Sequence, residues 1–338
     1  MSRFILTLIL FFASLLHFFM PQLFNPAIPF DNKLLINFCA GFIEFSLAFG
    51  LWTIRFRDIS ARLTALWFLI LTPIHIYVSW FQIPIFGFSS PVLLWGRTCL
   101  QPLLYFWALT LQSRGWIMAQ TWRDVLFLHY QVEPKLLESH VPFKLDEYNG
   151  KAVISIVSFK MDSIRFPFLP SVPGLTKLNE LNLRTYVEVD GVKGVYFFTL
   201  DADLTAAIFI ARSIFSLPYR LAAIKIEINQ NSYFCKSQNS ETSLEILAEI
   251  GDKKTSSLFD LWATERYGLF TKRHRDSIHG IVEHIPWQFN VVEIKNFQDN
   301  FSSQLGSDLR AKEFIGQGYC KELKVKFRPF YKLRQSSK

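Results

Sequence analysis

The sequence predicts an α-helical membrane bundle of four transmembrane helices, followed by a mainly antiparallel β-barrel or α+β domain. Three observations carry this. Charge is unevenly placed: of 36 basic and 28 acidic residues, only seven and three fall within the first 120. Four long apolar segments fill that charge-poor stretch. Beyond it the pattern changes to short alternating runs separated by turn residues. A chain of 338 residues that is 50% hydrophobic, with 35 phenylalanines, is neither disordered nor a small disulfide scaffold. The formal net charge of +8 divides evenly between the two parts, so no basic surface for nucleic acid is expected.

The apolar segments run Phe4–Met20, Leu34–Ile54, Leu63–Ile85 and Pro91–Leu111. A span needs about 20 mostly apolar residues, which the second and third supply best. Arg3 and an apolar run also fit a signal peptide. No small-residue cleavage site follows, so the segment is read as retained. Arg55, Arg57 and Arg62 lie between the second and third spans, Arg3 precedes the first, and Arg114 and Arg123 follow the fourth. The positive-inside rule then gives a multi-pass protein of the cytoplasmic membrane with both termini cytoplasmic and lipid as its neighbour. His17, Glu44, His75 and Arg97 sit at or within the spans, where ionisable groups are costly. They are read as a polar membrane site or as contacts between helices, with Glu44 paired to Arg97 as one arrangement.

The domain boundary is placed at residues 115 and 116. After it, Glu133-Pro134 opens a short helix ending near His140, and Lys151–Phe159 is strand-like. Leu181–Val189 and Gly194–Leu200 flank Asp190-Gly191, a hairpin signal. Leu204–Phe215 and Ser257–Tyr267 read as helices. Leu221–Ile228 with Asn231–Lys236 reads as a second hairpin, and Ile281–Glu293 and Lys321–Arg328 as strands. There is no glycine-rich phosphate loop, no His-Glu-x-x-His run and no nucleophile elbow, and no cofactor is expected. Cys39, Cys99, Cys235 and Cys320 are too dispersed for a ligand set. His274, His279 and His284 recur at a spacing of five, which reads as a turn entering a strand; no metal is expected.

Four short motifs in residues 1–112 resemble the DoxX-like membrane family: Leu16-His17-Phe18, Gly41-x-x-Glu44, Pro73-x-x-x-Tyr77 and Leu100-Gln101-Pro102. That resemblance implies a four-helix bundle with a loose link to quinone or thiol redox chemistry. Six further motifs lie within about 120–330. They are Trp122-Arg123-Asp124-x-x-Phe127-x-His129, Glu180–Val187, Gly194–Ala202, Leu217-Pro218-Tyr219, Thr264-Glu265-Arg266-Tyr267 and His284-x-Pro286-Trp287. Together they resemble a YqjF-like domain of unknown function in the acetoacetate-decarboxylase-like superfamily.

Enzymes of that superfamily form a Schiff base between a lysine and a β-keto acid, and a neighbouring cation lowers the lysine's pKa. The resemblance puts the reactive lysine on Tyr219, its neighbour on Arg220, the active-site glutamate on Glu180 and the active-site arginine on Arg123. A second carboxylate expected near Ile154–Ile156 has no counterpart. Tyrosine forms no Schiff base, so acetoacetate decarboxylation is not expected. The remaining set has Glu180 and Tyr219 as candidate catalytic groups and Arg123, Arg184 and Arg220 as candidate ligand-binding groups, with Arg220 helping Tyr219 act as a base. The expected function is binding of a small carboxylate or carbonyl compound. The alternatives are a lysine-independent enzyme acting on a keto compound and a non-enzymatic subunit of a membrane complex. The sequence leaves the oligomeric state open.

Overall fold

The computed structural model describes residues 2–87, 89–171, 177–273, 276–306 and 314–333. It divides into two compact units, Met1–Ile117 and Met118–Lys338.

The first unit holds four helices: α1 (Ser2–Phe19), α2 (Lys33–Trp52), α3 (Arg57–Trp80) and α4 (Pro91–Thr110). Each forms over one of the four apolar segments. Among the described residues, only α2 and α3 are long and apolar enough to cross a membrane, so four spans are not established. Helix α1 is shorter, and α4 carries Arg97, Thr98 and Gln101 in its middle. Helix α1 packs on α2, and α3 on α4. Two glycines of α2 allow close approach. A Cβ at Gly41 would lie 2.9 Å from the Phe18 ring, and one at Gly50 would lie 1.9 Å from Ser60 Oγ. The start of α3 is tied to the chain after α4, where Asp58 Oδ1 accepts from Ser113 N at 2.7 Å.

The second unit is a mixed, mostly antiparallel sheet. In chain order its elements are β1 (Met118–Val132), α5 (Pro134–Glu138), β2 (Lys144–Leu145), β3 (Ala152–Arg165), β4 (Leu178–Val189), β5 (Val192–Ala202), α6 (Thr205–Ile210), β6 (Tyr219–Leu221), β7 (Ala223–Asn229), β8 (Ser232–Gln238), β9 (Ser243–Lys254), α7 (Leu258–Thr264), β10 (Gly268–Arg273), β11 (Asp276–Glu283), β12 (Phe289–Asp299), β13 (Phe314–Phe327) and β14 (Tyr331–Lys332). Strand neighbours run β11-β10-β5-β4-β3-β1-β13, and β13 pairs back onto β11, which closes a seven-stranded barrel. Strands β12, β9, β8 and β7 continue from β13 as a sheet that folds over one side. The pairings of β5 with β10 and with β6 are parallel.

Alternation decides which side chains enter the barrel. On the outer face, Leu126, Leu128, Tyr130, Ile154 and Leu183 pack with Ile226, Tyr233 and Ile246 of the covering sheet. On the inner face, Val125, Phe127, Val157, Phe159, Leu323 and Val325 form a second core with Trp287 and Phe259. Strand β1 changes phase once. Asp124 takes a left-handed conformation with φ 53, and β1 gains one residue on β3 between Arg123 and Leu126. Met118, Gln120 and Trp122 therefore face inward before it, and Val125 and Phe127 after it.

Several predicted elements shift. The expected strand Ile281–Glu293 is two strands, β11 and β12, broken at Pro286. The helix expected over Leu204–Phe215 is α6 followed by a wide turn of π-helix over Ala211–Phe215. Strands β1, β9 and β10 lie outside the expected elements, although Ser243–Ile250 alternates apolar and polar residues. Of the three spaced histidines, His274 lies outside the described residues.

Candidate active site

The barrel interior holds a cavity of about 450 Å³. Strand β4 supplies its polar stripe, because a period of two brings Glu180, Asn182 and Arg184 to one face. Antiparallel pairing sets Glu180 opposite Ala202 on β5, and parallel pairing sets Tyr219 of β6 beside Leu200. Those two registers bring Tyr219 over Glu180. The phenol donates to Glu180 Oε2 at 2.6 Å, and Asn182 Nδ2 donates to Oε1 at 3.2 Å.

Glu180 is only 3% exposed. Burial pushes its carboxyl up to about 7, against the hydrogen bonds from Tyr219 and Asn182 and the Arg184 charge, which favour the ionised form. The Tyr219 phenol is pushed well above its usual value by burial and by the carboxylate beside it. At neutral pH Glu180 is therefore poised between acid and base, and Tyr219 is a proton donor. That corrects the expected role of Tyr219 as a base.

Arg184 reaches the same space. Its guanidinium lies over the Phe127 ring at 5.2 Å, and its Nε has no hydrogen-bond partner among the described residues. Below it the barrel is plugged. His129 Nδ1 and Ser155 Oγ are 2.7 Å apart, as are Ser155 Oγ and Tyr186 Oη. Burial, then the Arg184 charge, holds His129 down at about 3, so it is a neutral packing group.

Two expected residues fall elsewhere. Arg123 points to the outside of β1, because the alternation that turns Trp122 inward turns its neighbour outward. It pairs there with Asp162 at 3.3 Å and with Glu322. Arg220 follows Tyr219 on β6 and likewise faces away. Its Nε binds Asp201 Oδ1 at 2.7 Å, so it gives Tyr219 no direct help. Arg266 does line the cavity, but its charge is taken by Asp146 Oδ2 at 2.6 Å. The Thr264–Tyr267 and His284–Trp287 motifs meet each other. Trp287 Nε1 donates to the Thr264 carbonyl at 2.9 Å, and Trp287 N to Glu265 Oε1 at 3.2 Å. Asn182, Gln120 and His284 join the lining without having been singled out. Strict alternation with Glu180 was the available signal for Asn182. His284 Nδ1 donates to the Ile285 carbonyl at 2.8 Å. No lysine lines the cavity among the described residues.

The polar residues of the first unit form separate contacts. Glu44 meets His17 Nε2 at 3.8 Å and accepts from Trp67 Nε1 at 3.3 Å, and His17 Nδ1 lies 2.8 Å from Asn37 Oδ1. Gly41 lets α1 approach closely enough for this. His75 faces Gln101 at 3.5 Å. The Glu44–Arg97 pairing does not form: Glu44 is taken by α1 and α3, and Arg97 Nε has no hydrogen-bond partner among the described residues.

Residues 119–317 match the model of DUF2071, described as an uncharacterized conserved protein. Residues 6–112 match a domain of unknown function, DUF8561. The uncharacterized protein YqjF of Bacillus subtilis (strain 168) is 37% identical over 227 residues, covering 64% of this chain and 93% of YqjF. Among solved structures, an acetoacetate decarboxylase-like enzyme from Sphingomonas wittichii RW1 is similar at 11% identity, over 66% of this chain and 95% of that one, with a TM-score of 0.49. Acetoacetate decarboxylase from Legionella pneumophila is similar at 12% identity, over 64% and 87%, also with a TM-score of 0.49. The chain belongs to the DUF2071 family, with a YqjF-like domain at its C-terminal end.

Proposed function

We propose that the barrel domain binds a small organic carboxylate or carbonyl compound without covalent attachment to lysine. One observation carries this: the Tyr219–Glu180 pair and the Arg184 guanidinium converge on one interior cavity. A carboxylate entering there meets Arg184, and a carbonyl or hydroxyl meets the phenol and the carboxyl group. Native mass spectrometry of the full chain in lipid nanodiscs, after a soak with mixed organic acids, tests the reading. A retained small molecule that is lost in R184Q supports it. Equal occupancy of wild type and R184Q contradicts it.

A second reading, lysine-independent acid–base chemistry on a keto compound, is favoured by the carboxyl of Glu180 lying at about 7. A general base works best with a pKa near the working pH. Glu180 would take a proton from the carbon next to a carbonyl while Tyr219 donates to the developing oxyanion. Hydrogen–deuterium exchange at the α-carbon of a bound keto acid tests it, with E180Q as the control. Exchange that survives in E180Q removes Glu180 from the role.

For the first unit we propose a four-helix membrane anchor that holds both chain ends at the cytoplasmic face. This reading is supported by the apolar helices α2 and α3, the positions of Arg55, Arg57 and Arg62, and the DoxX-like motifs.

A further inference from the structure

The size and lining of the cavity narrow the ligand class, and the narrowing rests on reading the cavity as a ligand site. We infer that the barrel takes a bulky, mostly apolar acid or ketone of roughly ten carbons, rather than a three- or four-carbon keto acid. At about 30 Å³ per water, the 450 Å³ interior holds the equivalent of roughly fifteen waters. A short keto acid has about six or seven non-hydrogen atoms and leaves more than half of that space to solvent. That solvent would find few polar partners. Glu180, Asn182 and Arg184 form one polar stripe with Tyr219 beside it, while Arg266, His284 and Gln120 line the cavity with bonds to Asp146, the Ile285 carbonyl and Trp122. The rest of the lining is mostly apolar, with Trp122, Phe159, Met161, Phe215, Trp287 and Phe330 among aliphatic side chains.

Those walls are built for contact with a flat or flexible apolar body. The Trp122 and Trp287 rings are stacked with centroids 6.1 Å apart, and Phe159 lies 5.1 Å from Trp122. Met161 is unbranched and adapts to irregular shapes. The ligand's acid or carbonyl end lies at the polar stripe, and its body fills the space between β1, β3 and the segment around α6.

A homologous series with a constant head group tests this. Binding of 2-oxobutanoate, 2-oxohexanoate and 2-oxodecanoate is measured by tryptophan fluorescence on the full chain in lipid nanodiscs, with empty nanodiscs as the blank. Detergent is avoided because it is itself a bulky amphiphile. Each methylene that enters tightens binding about fourfold until the cavity is full. In A207F, which fills the wall contributed by α6, the gain from six to ten carbons disappears. Should A207F fail to fold, A206F on the solvent-exposed turn of the same wall replaces it. If 2-oxobutanoate binds as tightly as 2-oxodecanoate, the bulky-ligand inference is overturned and the ligand-site reading stands. If the chain-length gain persists in whichever variant folds, it is partition into lipid and the inference is again overturned. If no member of the series binds, the ligand-site reading fails and takes the inference with it.

Discussion

The Tyr219 hydroxyl donates to Glu180 Oε2 at 2.6 Å inside the barrel, at the position where the decarboxylase resemblance calls for a lysine. A phenol forms no Schiff base, and no lysine lines the cavity among the described residues. Borohydride added with any keto acid ligand should therefore trap no adduct on lysine. Peptide mass mapping checks this, and a single reduced lysine adduct would show that the covalent route survives.

Glu180 makes stability fall as pH rises. Its folded pKa of about 7 lies above the ordinary value of 4.5. The native state therefore holds the proton more tightly than the unfolded chain. The stabilisation is fully present below about 4.5 and is lost as pH rises through about 7, at a cost of roughly 3 kcal/mol. Thermal unfolding of wild type and E180Q between pH 4 and 8 should show that slope in wild type alone. Parallel curves would mean that the carboxyl group titrates normally.

Y219F removes a hydrogen bond that favours ionised Glu180. A bond to a charged group is worth about 1.5–3 kcal/mol, which moves the carboxyl group up by about one to two pH units. The midpoint of any Glu180-dependent binding or exchange profile should shift alkaline by that amount. An unmoved midpoint would mean that water restores the lost bond.

Two arginines should behave oppositely. R184Q should weaken an anionic ligand at least about tenfold, the value of one charge-assisted contact. R123Q should leave binding unchanged, since Arg123 faces outward against Asp162 and Glu322. Exposed pairs of that kind contribute at most about 1 kcal/mol to stability. Titration of both variants with one ligand distinguishes the two roles.

The segment at Arg55–Arg62 separates two membrane arrangements. If all four helices span, the N-terminus, that segment and the barrel share the cytoplasmic side. If only α2 and α3 span, the two ends still share a side and the segment crosses to the other. A cysteine at Ile54 or Phe56 should react with membrane-permeant maleimide and resist the impermeant reagent in intact cells. Labelling by the impermeant reagent defeats the four-span arrangement.

Much of the site was legible wherever a local rule governed it. Asp190-Gly191 predicted a hairpin, and both residues take positive φ, 51 and 77. A period of two along β4 sets Arg184 on the face of Glu180, so the local pattern there agrees with the motif that singled both out. What escaped depended on partners distant in sequence. Nothing near Arg220 announces Asp201 as its partner, and nothing near Arg123 announces the phase change one residue later. Closure of the barrel depends on β13 meeting β11, a pairing that no short motif encodes. The membrane half shows the converse. Apolar length located four helices, but the partner of Glu44 was set by Gly41 admitting α1 rather than by charge.

The irregularity at Asp124 bears on which sequence changes this fold can accept. Strand β1 is two reading frames spliced at one residue, with Trp122 and Phe127 facing the same way across an odd separation. The backbone holds a count fixed there, and the Asp124 side chain separately accepts from Lys160 Nζ at 2.8 Å and from Tyr319 Oη at 2.7 Å. Asparagine should replace Asp124 at little backbone cost and keep an acceptor for Tyr319, whereas glycine, equally free in backbone, would leave Lys160 and Tyr319 without it. Deleting that residue would exchange the wet and dry sides of everything before it, sending Arg123 into the barrel and Trp122 out of it, while each remaining side chain stayed unaltered.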